Sequence, residues 1–335
     1  MQGRNARTTP DKTVALIGTR FRDLEIERAE LGDSADIVTS GGTTADEIVT
    51  AGGRADVIVA GSKPRFGEEV LEQLNCRAIV RSGIGLDSID LLAAKRLGYW
   101  VVNVPDYGTE TVAWHTISLM AAAMRRLLEA DGLVREGGWG IDHLRPLRAP
   151  SACTLGIIGF GRIGRKVAEI ATGIGFGAIL AHDAMAVADS PHAELVPLQE
   201  LLARSDVVTL HAPGEDGEPI IDARRIASMK SGSILVNTSR GSLVDIEALD
   251  SSLRVGRIAL AALDVFPDEP PVPGLFSSVA GRVILSPHMA WYSEESETDL
   301  RLKTAREVRR LLEGEEPLNP VVRPHSQQET GRRRS

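Results

Sequence analysis

Short runs of aliphatic and β-branched residues alternate with helical patterns along the first hundred residues. Four runs predict buried parallel strands: TVALIG (13–18), DVIVAG (56–61), AIVRSG (78–83) and WVVNVP (100–105). Between them, GEEVLEQLN and DLLAAKRLG have helical spacing, and the second is expected to end at Gly98, a favourable residue just after a helix. The pattern predicts a first α/β unit with a parallel sheet.

A second region of the same kind begins at Thr154. Before it, the apolar segment Thr109–Gly132 has helical periodicity and predicts one long helix, and the Gly- and Pro-rich stretch REGGWGIDHLRPLRAP predicts a connector. Six further strands are then predicted with helices between them: TLGII, AILAHD, DVVTLH, SILVNTS, IALAALDV and RVILSP. Six such strands are typical of a doubly wound sheet.

Beyond His288 the pattern becomes helical again, from Ser293 to Gly314. Ser293 is a candidate N-cap, acidic residues fill the first turn, and Arg309 and Arg310 lie near the end, which suits the helix dipole. The last residues, 323–335, are polar and basic and predict a disordered, solvated tail, with binding to an acidic partner as the alternative.

Composition narrows the class of protein. The 335 residues are 43% hydrophobic, enough for two domains, and the net charge of −8 argues against nucleic acid as a partner. The distant Cys76 and Cys153 form no CxxC pair and predict free thiols in a reducing compartment, the cytoplasm. The N-terminal stretch has no apolar core that would predict a secretion signal, and no apolar run is long enough to predict a membrane span.

A glycine-rich turn opens the second region. Gly159, Gly161 and Gly164 form G-x-G-x-x-G directly after a predicted strand and before a predicted helix. In a dinucleotide-binding turn the first glycine permits the tight turn, the second lets the backbone approach a pyrophosphate, and the third lets helix and strand pack closely. The motif alone is weak, and a plain turn between strand and helix is the alternative.

Asp183 strengthens the interpretation, because it ends the next strand about 20 residues beyond Gly164. A carboxylate at this place accepts hydrogen bonds from the adenosine ribose and repels a 2′-phosphate. The following Ala184 and Met185 offer no cation for that phosphate, so the sequence favours NAD over NADP. A helix-capping aspartate is the alternative.

Three polar residues follow predicted strands: Arg240, Glu269 and His288. Ligands of open α/β sheets bind beyond the carboxyl ends of the strands, so all three are candidates to line one site. A histidine can supply the proton that hydride transfer to a ketone requires, a carboxylate can orient the imidazole, and an arginine can hold a carboxylate. Singly, each residue also has an ordinary interpretation as a surface charge, a capping group or an acidic turn.

With these motifs in place, residues Lys12 to Val322 resemble the D-isomer-specific 2-hydroxyacid dehydrogenases. The segments TLGIIGFGRIGRKVA, MKSGSILVNTSRGSLVDIEAL, ALDVFPDEP and LSPHMAWYSEES resemble the nucleotide signature and the segments carrying the catalytic arginine, glutamate and histidine, in the family's order. The last segment most resembles the branch that includes the C-terminal-binding proteins.

The resemblance implies an α/β fold in which a Rossmann NAD-binding domain, residues 116–298, is inserted in a smaller flavodoxin-like substrate-binding domain, residues 12–115 and 299–322. The chain would cross between them through helices at Thr109–Asp131 and Ser293–Glu313, and the substrate would lie in the cleft between the domains. The family also implies a homodimer formed through the NAD-binding domain.

The resemblance further assigns the site. Arg240, Glu269 and His288 become catalytic residues, and Ser82, Gly83 and Ile84 become a backbone site for the substrate carboxylate, with a plain turn as the alternative. Trp291 becomes a substrate contact, with a core tryptophan as the alternative, and Tyr107 belongs to the hinge segment. The implied cofactor contacts are Gly159, Gly161, Arg162, Ile163, Gly164, Asp183, His211, Pro213, Thr238, Ser239 and Asp264.

The expected activity is an NAD-dependent interconversion of a 2-keto acid and a D-2-hydroxy acid. The segment HAPGEDGEPIID departs from the family's usual Pro-x-Thr form around His211 and Pro213. Two other functions remain open at this point: an NADH-sensing scaffold of the corepressor kind, and a dehydrogenase acting on phosphite or a phosphonate-bearing acid. The seven histidines show neither HxH nor HxxxH spacing, so no metal site is predicted.

Overall fold

The computed structural model describes residues 12–185, 189–214 and 217–324. The strands are β1 Thr13–Ile17, β2 Asp36–Ser40, β3 Val57–Ala60, β4 Ala78–Arg81, β5 Trp100–Val102, β6 Thr154–Ile158, β7 Ala178–His182, β8 Glu194–Leu195, β9 Val207–Leu210, β10 Ser233–Asn237, β11 Ile258–Leu263, β12 Val283–Leu285 and β13 Pro320–Val322. The helices are α1 Glu25–Leu31, α2 Ala45–Gly52, α3 Glu68–Leu71, α4 Leu91–Leu97, α5 Thr109–Met124, α6 Leu127–Arg135, α7 Arg162–Ile174, α8 Leu198–Arg204, α9 Ala223–Ser228, α10 Ile246–Arg254 and α11 Glu294–Glu313.

The chain folds into two compact units. The first combines the chain up to Gly108 with the chain from Ser293 onward, and the second is Thr109–Tyr292. The boundaries predicted from the sequence, 115/116 and 298/299, lie a turn or two further along, inside α5 and α11. Of the predicted tail, residues 325–335 lie outside the described residues.

The first unit is a six-stranded sheet in the order β13-β5-β4-β3-β1-β2. The four predicted strands form its parallel centre, and α4 ends at Gly98 in the left-handed conformation, as predicted. The sequence did not predict β2, whose residues are mostly exposed at an edge, or β13, a short strand that begins with proline and pairs antiparallel with β5. Edge strands carry little of the apolar signal on which the prediction depends.

The returning helix α11 completes the core of this unit. Ser293 caps it, since its Oγ accepts the Ser296 N–H at 3.1 Å, and the helix ends at Gly314 in the left-handed conformation. Val308, Leu311 and Leu312 then pack on one face of the sheet. The predicted helix at this position is confirmed, and the first unit combines segments that precede and follow the second unit.

The second unit is a parallel seven-stranded sheet in the order β12-β11-β10-β9-β6-β7-β8. All six predicted strands are present, and β8 adds a two-residue edge. The strand order reverses between β6 and β9, so the carboxyl ends of these two strands form the switch point where doubly wound sheets bind ligands. The predicted two-domain α/β fold is confirmed.

The predicted single helix over Thr109–Gly132 is wrong. The structure has two helices, α5 and α6, because Arg126 takes the left-handed conformation with φ of 47°. The Arg126 guanidinium lies 3.2 Å from the Glu129 carboxylate in the first turn of α6. With no glycine or proline at the break, periodicity alone could not reveal it. Among the described residues, no helix is both long and apolar enough to cross a membrane.

Candidate active site

The glycine turn joins β6 to α7 at the switch point. Gly159 has φ of +90°, and a side-chain Cβ there would lie 2.4 Å from the Ala212 nitrogen. A Cβ on Gly164 would lie 2.1 Å from the Gly159 carbonyl oxygen, so helix and turn touch. A Cβ on Gly161, by contrast, would meet no protein atom within 4 Å. Two glycines are therefore required by packing, and the third leaves the backbone open at the start of a helix.

Asp183 fastens this turn to the end of β7. Its carboxylate accepts the N–H of Phe160 at 2.6 Å and that of Met185 at 2.9 Å. Arg162 and Ile163 begin α7, with Arg162 exposed. The predicted role of Asp183 toward ribose hydroxyls stays a prediction, and the structure gives the residue an additional role in holding the turn.

The chain after β10 carries Thr238, Ser239 and Arg240. Asn237 braces this turn from its first residue, because its amide donates to the Arg240 carbonyl at 2.7 Å and accepts the Ser239 N–H at 3.0 Å. The buried Thr238 hydroxyl lies 2.8 Å from that of Thr116 on α5. The sequence prediction missed Asn237, although an asparagine ending a strand before a turn is a recognisable signal.

Gly241, also missed, brings this turn against the next one. A Cβ on Gly241 would lie 1.9 Å from the carbonyl carbon of Phe266, so no other residue fits there without a shift. Phe266 belongs to the loop after β11 and donates its N–H to Glu269 at 3.1 Å. The loop carrying Arg240 therefore packs directly on the loop carrying Glu269.

Glu269 and His288 form a close pair. Glu269 Oε2 lies 2.6 Å from His288 Nδ1, which leaves Nε2 as the ring nitrogen that faces away from this contact. Burial raises the pKa of Glu269, but the hydrogen bond and charge of His288 and the Phe266 N–H lower it by more, so its net pKa lies below the ordinary value. Glu269 is therefore an anion at neutral pH, positioned to hold one tautomer of the imidazole.

The backbone of His288 is unusual, since its φ is 51°. Non-glycine residues seldom adopt this region, and they do so where the surroundings enforce it. Asp264, a fully buried residue at the end of β11, supplies that enforcement. Its carbonyl accepts the His288 N–H at 2.8 Å, and its carboxylate accepts the N–H groups of Met289 at 3.0 Å and Ala290 at 2.9 Å.

The Asp264 carboxylate also accepts the Ser286 hydroxyl at 2.5 Å. Burial raises the pKa of Asp264, but the nearby His115 ring, Ser286 and the two N–H groups lower it by more, so its net pKa lies below the ordinary value. Both carboxylate oxygens are thus engaged by the loop that carries His288. The predicted contact of Asp264 with a cofactor stays a prediction.

His211 and Pro213 follow β9. Desolvation lowers the pKa of His211 to about 3, so its ring is neutral at neutral pH, and its Nε2 lies 3.0 Å from the Thr209 hydroxyl. Pro213 is exposed, and residues 215–216 of this segment lie outside the described residues. The described residues contain no cluster of His, Cys, Asp or Glu that could hold a metal ion.

The second unit matches a known protein family. Residues 117–290, more than half of the chain, match the model for the D-isomer specific 2-hydroxyacid dehydrogenase, NAD binding domain. The chain belongs to this family. Arg240, Glu269 and His288 follow β10, β11 and β12, three neighbouring strands of that domain.

Three similar proteins illustrate the relationship. The chain is 35% identical over 305 residues to D-3-phosphoglycerate dehydrogenase of Methanocaldococcus jannaschii, covering 89% of this chain and 58% of that protein. It is 39% identical over 252 residues to glyoxylate reductase of Korarchaeum cryptofilum, covering 73% and 76%. The structure of D-lactate dehydrogenase from Aquifex aeolicus with NAD and lactic acid superimposes with a TM-score of 0.84 at 28% identity, covering 93% of this chain and all of that chain.

The chain spans little more than half the length of the phosphoglycerate dehydrogenases that it matches, 58% of the one above and 54% of that from Archaeoglobus fulgidus. The residues of the second unit fit the NAD that the family's domain binds. The open backbone at Gly161 and the helix start behind it are what a pyrophosphate requires.

In the first unit, the loop Ser82–Ile84 follows β4. Gly83 has φ of +142°. The Ser82 N–H donates to the Ala60 carbonyl at 3.0 Å, and the Gly83 N–H donates to the Arg81 carbonyl at 2.9 Å. Both amides are thus already engaged, so binding an anion there requires these hydrogen bonds to be shared or broken. The anion site at Ser82–Ile84 stays a prediction.

Trp291 lies at the end of the second unit, where its ring meets that of Tyr292 edge to face with centroids 5.6 Å apart. Trp291 is partly exposed, and its contact with the substrate stays a prediction.

Proposed function

We propose that this family member is an NAD-dependent oxidoreductase that interconverts a 2-keto acid and the corresponding D-2-hydroxy acid. The observation that carries the proposal is the 2.6 Å contact of Glu269 with His288 Nδ1, beside the turn of Arg240. An imidazole held by a carboxylate at the carboxyl edge of a dinucleotide-binding sheet is suited to general acid–base chemistry. When bound, NADH supplies the hydride.

His288 moves the proton. In the direction of reduction, its Nε2 donates a proton to the carbonyl oxygen of the substrate, and in oxidation the same nitrogen takes the hydroxyl proton. Glu269, an anion with a lowered pKa, stabilises the protonated ring through Nδ1 and fixes the direction in which Nε2 points. The left-handed backbone at His288 contributes to that orientation.

We propose that Arg240 binds the substrate carboxylate through its planar guanidinium. The backbone of Ser82–Ile84 is a further proposed anion site. Trp291 contacts the substrate side chain. These roles rest on the family resemblance and on the position of Arg240 at a strand end.

Asp183 makes NAD the preferred cofactor over NADP. A carboxylate at the end of β7 accepts hydrogen bonds from ribose hydroxyls and repels a phosphate in the same place, and neither Ala184 nor Met185 offers a compensating cation. Thr238, Ser239, His211, Pro213 and Asp264 are further proposed cofactor contacts.

A small 2-keto acid is the proposed substrate class. The relatives described above are named for glyoxylate, lactate and 3-phosphoglycerate, all of them 2-keto or 2-hydroxy acids or their phosphate-bearing forms. None of these names points to a scaffold protein or to phosphite, and no observation in the structure favours either alternative.

We also propose that the protein is a homodimer formed through the second unit. Large apolar side chains are exposed along α6 and the segment after it, and Trp139 is 89% exposed. The exposed apolar residues of this surface are Leu127, Leu128, Val134, Trp139 and Ile141.

The free, buried Cys76 and Cys153 fit a reducing compartment, and the cytoplasm is the proposed location.

A substrate screen tests the activity. Oxidation of NADH and of NADPH is followed with glyoxylate, pyruvate, hydroxypyruvate and bulkier 2-keto acids, and turnover is expected with NADH at the higher kcat/KM. Replacement His288→Ala should lower kcat by about 10²–10⁴-fold, the scale of a lost general acid.

The exposed His143, replaced by Ala, is the matched control and should leave kcat unchanged. Absence of turnover with every acid despite tight NADH binding, or full activity of His288→Ala, would refute the proposed activity.

A further inference from the structure

A polar chain inside the second unit begins at His115, a residue of α5 that the proposed chemistry does not use. Its Nε2 lies 3.2 Å from the Ser286 hydroxyl oxygen and 3.6 Å from Asp264 Oδ1. The second distance is too long for a hydrogen bond, so Ser286 is the direct partner of His115. His115 is only 20% exposed, and Asp264 is fully buried.

The order of donors along this chain follows from the atoms available. The Ser286 hydroxyl has one proton, and its 2.5 Å contact with the ionised Asp264 carboxylate requires that proton. Ser286 must therefore accept at its oxygen, and His115 must donate from Nε2. The chain runs in one direction, from His115 through Ser286 to Asp264.

Asp264 in turn holds the loop of His288. Three successive N–H groups, those of His288, Met289 and Ala290, point at its carbonyl or carboxylate oxygens. The left-handed conformation is unfavourable for a non-glycine residue, and it persists only where the surroundings fix the backbone. The groups that hold the Asp264 carboxylate in place therefore also hold the His288 ring in its direction.

From this geometry we propose that His115 is a positioning residue: through Ser286 it holds the Asp264 carboxylate, and thereby keeps the loop of His288 in its left-handed conformation. The inference rests on the proposed function only where it concerns turnover, since the effect on the loop is a property of the protein itself. His115 touches neither Glu269 nor His288 in this arrangement; it acts through two other side chains.

Amide hydrogen exchange of the protein without substrate tests the effect on the loop. In His115→Phe, which keeps a ring but loses the donor, the amides of Met289 and Ala290 should exchange about 5–10-fold faster, the effect of losing about one hydrogen bond. Ser286→Ala should give a similar change. Amides in the core strand β9 should exchange at the wild-type rate, which separates a local effect from general loss of stability.

Steady-state kinetics test the effect on turnover. His115→Phe should lower kcat by about 10–100-fold, because misplacement of a reacting group by a fraction of an ångström is costly, while KM for the 2-keto acid and the affinity for NADH stay within about threefold. His115→Gln can place an amide N–H near the position of Nε2 and should restore most of kcat. Ser118→Ala, on the exposed face of the same helix, is the control and should behave as wild type.

The double variant His115→Phe/Ser286→Ala adds a further check. Because both residues act in one chain, its loss of kcat should be close to that of either single variant rather than the product of the two.

The outcomes separate the two proposals. Unchanged exchange at Met289 and Ala290 in His115→Phe overturns the positioning role, even if kcat falls. Faster exchange with unchanged kcat also overturns it. If wild type turns over no 2-keto acid while exchange responds as described, the proposed activity fails and the structural link from His115 to the loop stands.

Discussion

The buried carboxylate of Asp264 holds the loop that carries His288. Asp264 accepts a hydroxyl and two N–H groups with its carboxylate, and these hydrogen bonds, with the nearby His115 ring, outweigh the rise in pKa that burial causes. The result is an anion that is stable without a direct arginine or lysine partner among the contacts described. Charge-assisted hydrogen bonds are among the stronger ones in proteins, so this residue is expected to contribute strongly to stability.

Replacing Asp264 with Asn tests that contribution. The side-chain NH2 of the new asparagine would face an N–H or hydroxyl donor where the aspartate offered an acceptor oxygen. Leaving these donors unpaired in the interior should destabilise the protein by about 2–5 kcal/mol at pH 7. Because the folded-state pKa of Asp264 is lowered, its stabilisation is complete above the ordinary aspartate value of about 3.9 and is lost as the pH falls through the lower folded value.

The unfolding midpoints of wild type and Asp264→Asn should therefore differ most near neutral pH and converge below about pH 4. Glu200→Gln, at the exposed ion pair with Arg204 on α8, is the control and should shift the midpoint little. Equal midpoints of Asp264→Asn and wild type at pH 7 would contradict this account.

At the residue scale, the sequence predicted candidates better than contacts. Arg240, Glu269 and His288 could be selected because each follows a strand, and the shared edge of a parallel sheet gathers them. The 2.6 Å contact between Glu269 and His288 depends on loop geometry that no spacing encodes. His115 was missed for a similar reason, since its proposed role depends on where α5 approaches Ser286, in the loop after β12.

At the scale of elements, the six residues of the glycine turn contain two glycines in close contact with backbone and one that borders open space. Gly159 and Gly164 touch backbone, whereas Gly161 borders open space. The predicted steric roles of Gly159 and Gly164 agree with this division, and the approach of a pyrophosphate to Gly161 stays a prediction.

Two alanine variants of the turn should behave in opposite ways. Gly164→Ala places a Cβ 2.1 Å from a backbone oxygen and should lower stability by about 1–3 kcal/mol or prevent folding. Gly161→Ala, with φ of −77° and free space around it, should change stability by less than about 1 kcal/mol, yet weaken NADH binding by about tenfold or more.

Thermal unfolding and NADH titration of both variants check this pair. The reverse pattern, a stable Gly164→Ala or a Gly161→Ala that binds NADH as tightly as wild type, would contradict the division. Gly173→Ala, within α7 and with no heavy atom near the added Cβ, is a control for the helix itself.

The strands that the sequence failed to predict share a physical feature. β2, β8 and β13 lie at sheet edges, where exposure removes the apolar pattern, and β8 is only two residues long. The break between α5 and α6 depends on one left-handed arginine in a segment without glycine or proline. Central strands and capped helix ends were predictable because burial and backbone conformation restrict their residue types directly.

At the scale of the whole molecule, the proposed homodimer rests on the exposed apolar surface of α6 and the following segment. Trp139→Glu removes a large apolar side chain and adds a charge, so it should convert a dimer into a monomer in sedimentation velocity experiments. Leu92→Glu is the matched control, since Leu92 is also a large exposed apolar residue but lies on α4 of the first unit. A monomeric wild type, or dissociation of both variants alike, would contradict the proposed interface.

The insertion of one unit within the other has a consequence for synthesis on the ribosome. The segment Thr109–Tyr292 holds every strand of its own sheet and can fold as soon as it leaves the exit tunnel. The front segment, which is made earlier, cannot complete its core at that point, because Val308, Leu311 and Leu312, which cover one face of its sheet, are translated only after the second unit. The nascent protein must therefore carry an uncovered apolar sheet face until α11 has been made, and this interval is when we expect it to depend most on chaperones.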